Sequence, residues 1–297
     1  MPEGFADFNG WQTWYRVEGE LSPGGPAPLV TLHGGPGATH DYLLSLADLA
    51  DNGRAVVFYD QLGNGKSTHL PERMGDGGFW TPELFERELQ NLVEHLGIAD
   101  RHHVLGQSWG GFLAQEYALT QPRGLRSLTL ANTAASFPDF LAEANRLRAE
   151  LPPEVEATLR RHEAAGTTGD PEYEDACMVF YKRHLCRLDE WPEEVTRAFD
   201  EIGKDPTVYH TMNGPSEFHV IGSLKDWQAK DRLGRIGVPT LVISGRYDEA
   251  TPALQETLGE GIPDTEQVIL AESSHMPFWE ERDAFMAAVS DWLTRHD

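Results

Sequence analysis

Ser108, Asp248 and His275 have the types and chain order needed for acyl transfer through a covalent intermediate. Ser108 lies in Gly106-Gln107-Ser108-Trp109-Gly110, inside the stretch HVLGQSWGGFLAQEYA (His103–Ala118). Asp248 lies in GRYDEATP and His275 in SSHMPF. A serine hydroxyl attacks a carbonyl only when a base takes its proton, and an imidazole base needs an acid to hold its tautomer. The oxyanion that forms needs donors. The N–H of Trp109, just after the serine, is one candidate; that of Gly35, in LHGGPG (Leu32–Gly37), is the other. Losing one such donor typically costs about 2.7–4 kcal/mol in the transition state. Taken singly, the serine fits a plain glycine turn, the aspartate loop chemistry and the histidine a surface position. Their joint order and placement argue for a catalytic set.

That placement depends on the elements around them. Strand patterns cover Trp11–Val17, Pro28–His33, Arg54–Asp60, the stretch before Ser108, Leu125–Asn132, Pro239–Gly245 and Glu266–Glu272. A helix begins after Thr81, with Pro82 in its first turn and Leu84, Phe85, Leu89, Leu92, Val93 and Leu96 on one face, and Gly97 ends it. Further helices are expected over Trp109–Thr120 and from about Glu280 to Arg295. Apolar strands alternating with helices imply a mostly parallel sheet covered by helices on both faces. Ser108, Asp248 and His275 then all fall just past the C-terminal ends of strands, the edge where open α/β sheets place their sites. Between about Ala134 and Arg232 the pattern turns helical and polar, with breaks at Pro152, Pro171, Pro192 and Pro206. The expected organisation is a core over 1–133 and 233–297, with a helical insertion over 134–232. SPGGPAP (Ser22–Pro28) reads as a hairpin-like turn.

The chain has 297 residues, 40% of them hydrophobic and 24% charged, enough for a large core. Its 48 acidic and 24 basic residues give a net charge of -24, which argues against nucleic acid and anionic lipid as partners. No apolar run reaches the roughly 18 residues of a membrane span, and the acidic N-terminal stretch lacks the apolar core of a signal peptide. A cytoplasmic location is the expectation. Cys177 and Cys186 are expected to be reduced thiols.

These residues resemble the proline iminopeptidases (prolyl aminopeptidases), S33-type serine peptidases of the α/β-hydrolase superfamily. The resemblance spans nearly the whole chain and rests on HGGPG, YDQLGNGKS, GQSWGG, NGPSEF, GRYDEATP and SSHMPFWE. It implies an α/β-hydrolase fold with a helical cap inserted over the catalytic edge. It also implies an exopeptidase that releases an N-terminal residue, preferably proline, from small peptides or amides. Glu217, in NGPSEF, and Glu249, after the triad aspartate, match acids that bind the substrate's α-ammonium group. An ammonium in a closed pocket must be paired, so two carboxylates there make physical sense. Phe79, Trp80, Trp109 and Trp227 are candidates for an apolar wall around a proline ring, although ordinary core packing accounts for each equally well. Asp60, in YDQLGNGKS, reads as structural support for the site.

The scheme calls for no metal and no organic cofactor, and the pattern leaves the oligomeric state open. Two rival enzymes share the machinery: an L-amino-acid amidase keeps the two glutamates, and an esterase or lactonase does not need them. Ser108 at the elbow disfavours relatives with a nucleophilic aspartate. A binding protein on the same scaffold is disfavoured by the complete catalytic set, and an interaction module built on the insertion has no positive support.

Overall fold

The computed structural model describes residues 2–297. Its frame is one eight-stranded sheet formed by β1 (Glu3–Phe8), β2 (Trp11–Glu18), β3 (Leu29–Leu32), β4 (Val56–Tyr59), β5 (His102–Gln107), β6 (Leu125–Ala131), β7 (Thr240–Gly245) and β8 (Thr265–Leu270). Their order is β1-β2-β4-β3-β5-β6-β7-β8. The β1–β2 and β2–β4 pairs are antiparallel and every other pair is parallel. Strands β3, β4, β5 and β7 are buried at every position, so both faces of the sheet are covered there. That double burial explains their unbroken apolar sequences.

The helices are α1 (Pro82–His95), α2 (Trp109–Leu119), α3 (Phe137–Arg148), α4 (Pro153–Ala165), α5 (Pro171–His184), α6 (Glu193–Lys204), α7 (Thr207–Met212), α8 (Pro252–Gly261), α9 (Pro277–Glu280) and α10 (Arg282–Arg295). Helix α1 starts as its sequence dictates: the Thr81 side chain accepts from the N–H of Leu84, and Pro82 stands in the first turn. Gly97 takes a left-handed conformation just past its end. Helices α3 to α7 all lie between β6 and β7, followed by a turn-rich segment and a 3-10 helix over Lys230–Arg235.

The structure departs from the sequence pattern in several places. Ser22–Pro28 is not a hairpin connection, because β2 pairs with β1 and β4 whereas β3 lies on the far side of β4. Strand β1 was not expected; it pairs only with β2 at the sheet edge and has too few buried residues to give a clear signal. A 3-10 helix over His40–Ala50 also joins β3 to β4. The last helical stretch is split at Glu281 into α9 and α10. Cys177 and Cys186 are free and buried, and burial pushes both thiols up to about 12. Among the described residues, no helix is long and apolar enough to cross a membrane.

Candidate active site

Ser108 occupies the single residue between β5 and α2, and its backbone is forced to φ 56°, ψ -124°. A non-glycine residue reaches that region only under strain, which the surroundings must enforce. The flanking glycines make this possible. A Cβ on Gly106 would collide with the carbonyl of Gly110, and one on Gly110 with the carbonyl of Leu32. The Gly-x-Ser-x-Gly spacing therefore reflects close packing of β5, α2 and β3 around the turn. Trp109 is the first residue of α2, so its N–H has no carbonyl one turn earlier and faces the site with the positive end of the helix.

The other predicted residues arrive from neighbouring strand ends. Gly35 follows β3, Asp248 and Glu249 follow β7, and His275 follows β8. Glu217 comes from the turn after α7. Gly35, Ser108, Glu217, Glu249 and His275 line a single cavity of about 640 Å³. The Nδ1 of His275 lies 2.6 Å from Asp248 Oδ1. Its Nε2 lies 3.8 Å from Glu249 Oε1. Asp248 also accepts hydrogen bonds from Ala250 N–H (2.8 Å) and from the side-chain amide of Asn132 (2.6 Å). Glu217 is half-buried and accepts a hydrogen bond from the Tyr209 hydroxyl at 2.7 Å. Glu249 is fully buried, and neither of its oxygens has a hydrogen-bond partner among the described residues.

Charge is concentrated here. Burial works against a protonated His275, but Asp248, aided by Glu249 and Glu217, outweighs it and holds the imidazole up at about 9. Burial pushes Glu249 well above the usual carboxylate range; His275 opposes the shift, and Glu217 and Asp248 add to it. Glu217 is raised by the same burial, against the pull of Tyr209 and His275.

Several supporting residues carried no sequence signal of their own. The Tyr42 hydroxyl accepts from Gly34 N–H (2.5 Å) and donates to Gln107 Oε1 (2.5 Å), and the Gln107 amide donates to the His275 carbonyl (3.1 Å). Gln61 donates to the His33 carbonyl (2.8 Å) and accepts from the Trp109 indole (2.9 Å). The Glu280 carboxylate accepts from the N–H groups of Ser274 and Met276, on either side of His275. Asp60 accepts from His40 N–H and Lys66 N–H, which ties the loops after β3 and β4 together. Of these, Asp60 is the one marked by the sequence, as structural support for the site.

The expected aromatic wall is corrected in part. Phe79 and Trp80 pack on Trp11 and Phe85, and Trp227 packs at a tilt on Phe112. A small pocket beside Ser108 is lined instead by Phe112, Phe137 and Phe140, together with Trp109, Glu217 and Gly35. Phe137 and Phe140 lie one turn apart on α3, which the sequence could not aim at β5.

Comparison with known proteins agrees with this architecture. Residues 27–282 match the family model of the alpha/beta hydrolase fold. A proline iminopeptidase of Saccharolobus solfataricus is 42% identical over 94% of this chain and 87% of its own length. The crystal structure of VinJ superposes with a TM-score of 0.97 at 51% identity, covering 100% of this chain and 99% of that one. The crystal structure of a Mycobacterium smegmatis proline iminopeptidase superposes with a TM-score of 0.91 at 44% identity, covering 99% and 98% of the two chains. The chain belongs to the proline iminopeptidase family of the α/β-hydrolase fold.

Proposed function

We propose that this protein is a serine exopeptidase that releases an N-terminal residue, preferably proline, from small peptides or amides through an acyl-enzyme. One observation carries the reading: Glu249, a fully buried carboxylate without a hydrogen-bond partner, shares a cavity with Ser108 and Glu217. A buried carboxylate without donors ionises readily only beside a cation, and a substrate's α-ammonium group supplies one at a fixed distance from the scissile carbonyl. An internal peptide nitrogen carries no such charge, so the site rejects endopeptide substrates.

In the proposed reaction, His275 Nε2 takes the Ser108 proton as Oγ attacks the carbonyl carbon of the N-terminal residue. Asp248 holds the imidazole tautomer and stabilises the imidazolium. The N–H groups of Gly35 and Trp109 receive the developing oxyanion. The imidazolium then protonates the leaving nitrogen, the C–N bond breaks, and water hydrolyses the acyl-serine by the same steps. Helices α3 to α7 act as a cap over the strand ends, and the Phe112–Phe137–Phe140 pocket takes the ring of the released residue.

The test is kcat/KM for prolyl-p-nitroanilide against N-acetylprolyl-p-nitroanilide, in the wild type and in Glu217→Gln. Acetylation should abolish turnover and Glu217→Gln should cost on the order of 100-fold or more, as expected when a buried charge loses its partner. Equal turnover of the free and acetylated compounds would replace this reading with a general esterase or amidase.

A further inference from the structure

Asn132 follows β6 directly, in a conformation that few side chains accept. Its backbone is left-handed, at φ 52°, and its side chain is fully buried. Asparagine tolerates that region better than most residues, but glycine enters it freely. Backbone demand alone would therefore be met by glycine, without burying an amide. The amide has a cost, because its Oδ1 has no hydrogen-bond partner among the described residues. The gain lies with its Nδ2 group, which donates to Asp248 Oδ2 at 2.6 Å and to the Ser274 carbonyl at 3.2 Å. The two oxygens of Asp248 are unequally served. Oδ1 meets His275 Nδ1 (2.6 Å) and the N–H of Ala250 (2.8 Å), whereas Oδ2 has Asn132 as its one partner among the described residues. Donors hold a buried carboxylate in one orientation, and a donor to an anion makes a strong bond. Ser274 directly precedes His275, so one side chain ties the loop after β7 to the loop after β8. The next residue extends the pattern: the Thr133 hydroxyl donates to the Ser108 carbonyl at 2.8 Å.

We infer that Asn132 is a positioning residue for the reaction proposed above: its amide pins Asp248 Oδ2, so that Oδ1 stays aimed at the His275 imidazole and the acid's loop stays in register with the base's. The inference rests on the roles given there to Asp248 and His275. Without the amide, the carboxylate is free to turn about its Cβ–Cγ bond, and Oδ2 is left bare in the interior. The imidazole then loses the fixed partner that sets its tautomer and orientation. The loss falls on the chemical step, because Asn132 acts through Asp248 and makes no hydrogen bond to Glu217 or Glu249.

Asn132→Gly removes the amide and keeps the left-handed backbone, whereas Asn132→Ala removes it and adds backbone strain, so its Tm falls further. Both should be assayed with p-nitrophenyl acetate, whose acetyl group is too small to depend on the aromatic pocket that Asn132 also borders. In both, kcat should fall on the order of tenfold with KM within about twofold, and the two losses should match although the Tm values differ. The same substitutions in an Asp248→Asn background should cost less than about twofold, because the carboxylate they act through is already gone. A normal kcat in Asn132→Gly, a loss that follows Tm across the two variants, or an equal loss in the Asp248→Asn background would overturn the inference. Near-wild-type kcat in Asp248→Asn alone would instead overturn the catalytic reading, and this inference with it.

Discussion

His275 faces three acids: Asp248 at 2.6 Å, Glu249 at 3.8 Å, and Glu217 across the cavity. Together they overcome burial and hold the imidazole at about 9, above its ordinary 6.5. Only the neutral ring accepts the serine proton, so activity rises with pH through that value and falls below it. In the proposed complex a substrate ammonium would compete with the imidazolium for Glu249, so that binding would lower the His275 pKa and ready the base. The pH limb and the hold of Glu249 on the imidazole can be checked with p-nitrophenyl acetate, which has no amine to titrate. Its kcat/KM should climb from pH 7 toward pH 9 in the wild type, and the midpoint of that limb should move to lower pH in Glu249→Gln. An unchanged midpoint would mean that Glu249 does not act on the base.

Three separate loops must meet with sub-ångström precision, and Tyr42 links them. Its hydroxyl joins Gly34, beside the proposed oxyanion donor Gly35, to Gln107, beside the proposed nucleophile Ser108, and Gln107 reaches the His275 carbonyl. Tyr42 belongs to the 3-10 helix His40–Ala50, which gave no signal as an element. Tyr42→Phe leaves Gly34 N–H and Gln107 Oε1 unpaired inside the protein, at about 1–3 kcal/mol of stability for each unsatisfied group. Small displacements at a reacting centre cost on the order of 100-fold, so kcat should fall by about 10- to 100-fold while KM moves little. Thermal unfolding and steady-state kinetics of the purified variant test the two effects separately. A variant with normal kcat and a lowered Tm would reduce Tyr42 to a packing residue.

The chain carries a formal net charge of -24, and a cationic substrate approaches it down a favourable potential. Salt screens that attraction, with a Debye length near 10 Å at 0.1 M. For prolyl-p-nitroanilide, kcat/KM should fall by about threefold or more between 0.02 and 0.5 M sodium chloride, in line with the salt dependence of steered association. Turnover of uncharged p-nitrophenyl acetate should stay nearly flat over the same range. The α3–α7 layer is tied to the sheet edge beneath it: Glu249 N–H donates to the His184 carbonyl, Thr251 to Glu143, and Arg187 N–H to Glu280.

Residue order along the chain was enough to place Ser108, Asp248 and His275 on one edge, because parallel strands joined by helices deliver their C-terminal ends to the same side. The helix over Pro82–His95 was equally legible, since its cap, its first-turn proline and its apolar face are all local features. Its neighbours in space were not legible. The Phe112–Phe137–Phe140 pocket, the Tyr42–Gln107 link and the Asn132 contact with Asp248 join residues tens to more than a hundred positions apart. Phe79, Trp80 and Trp227 were as plausible a wall as any aromatic, because a side chain's type states what it can line and not which way its element faces. Such contacts depend on how the layers dock, and docking is set by the packing of the entire core rather than by any short stretch of chain.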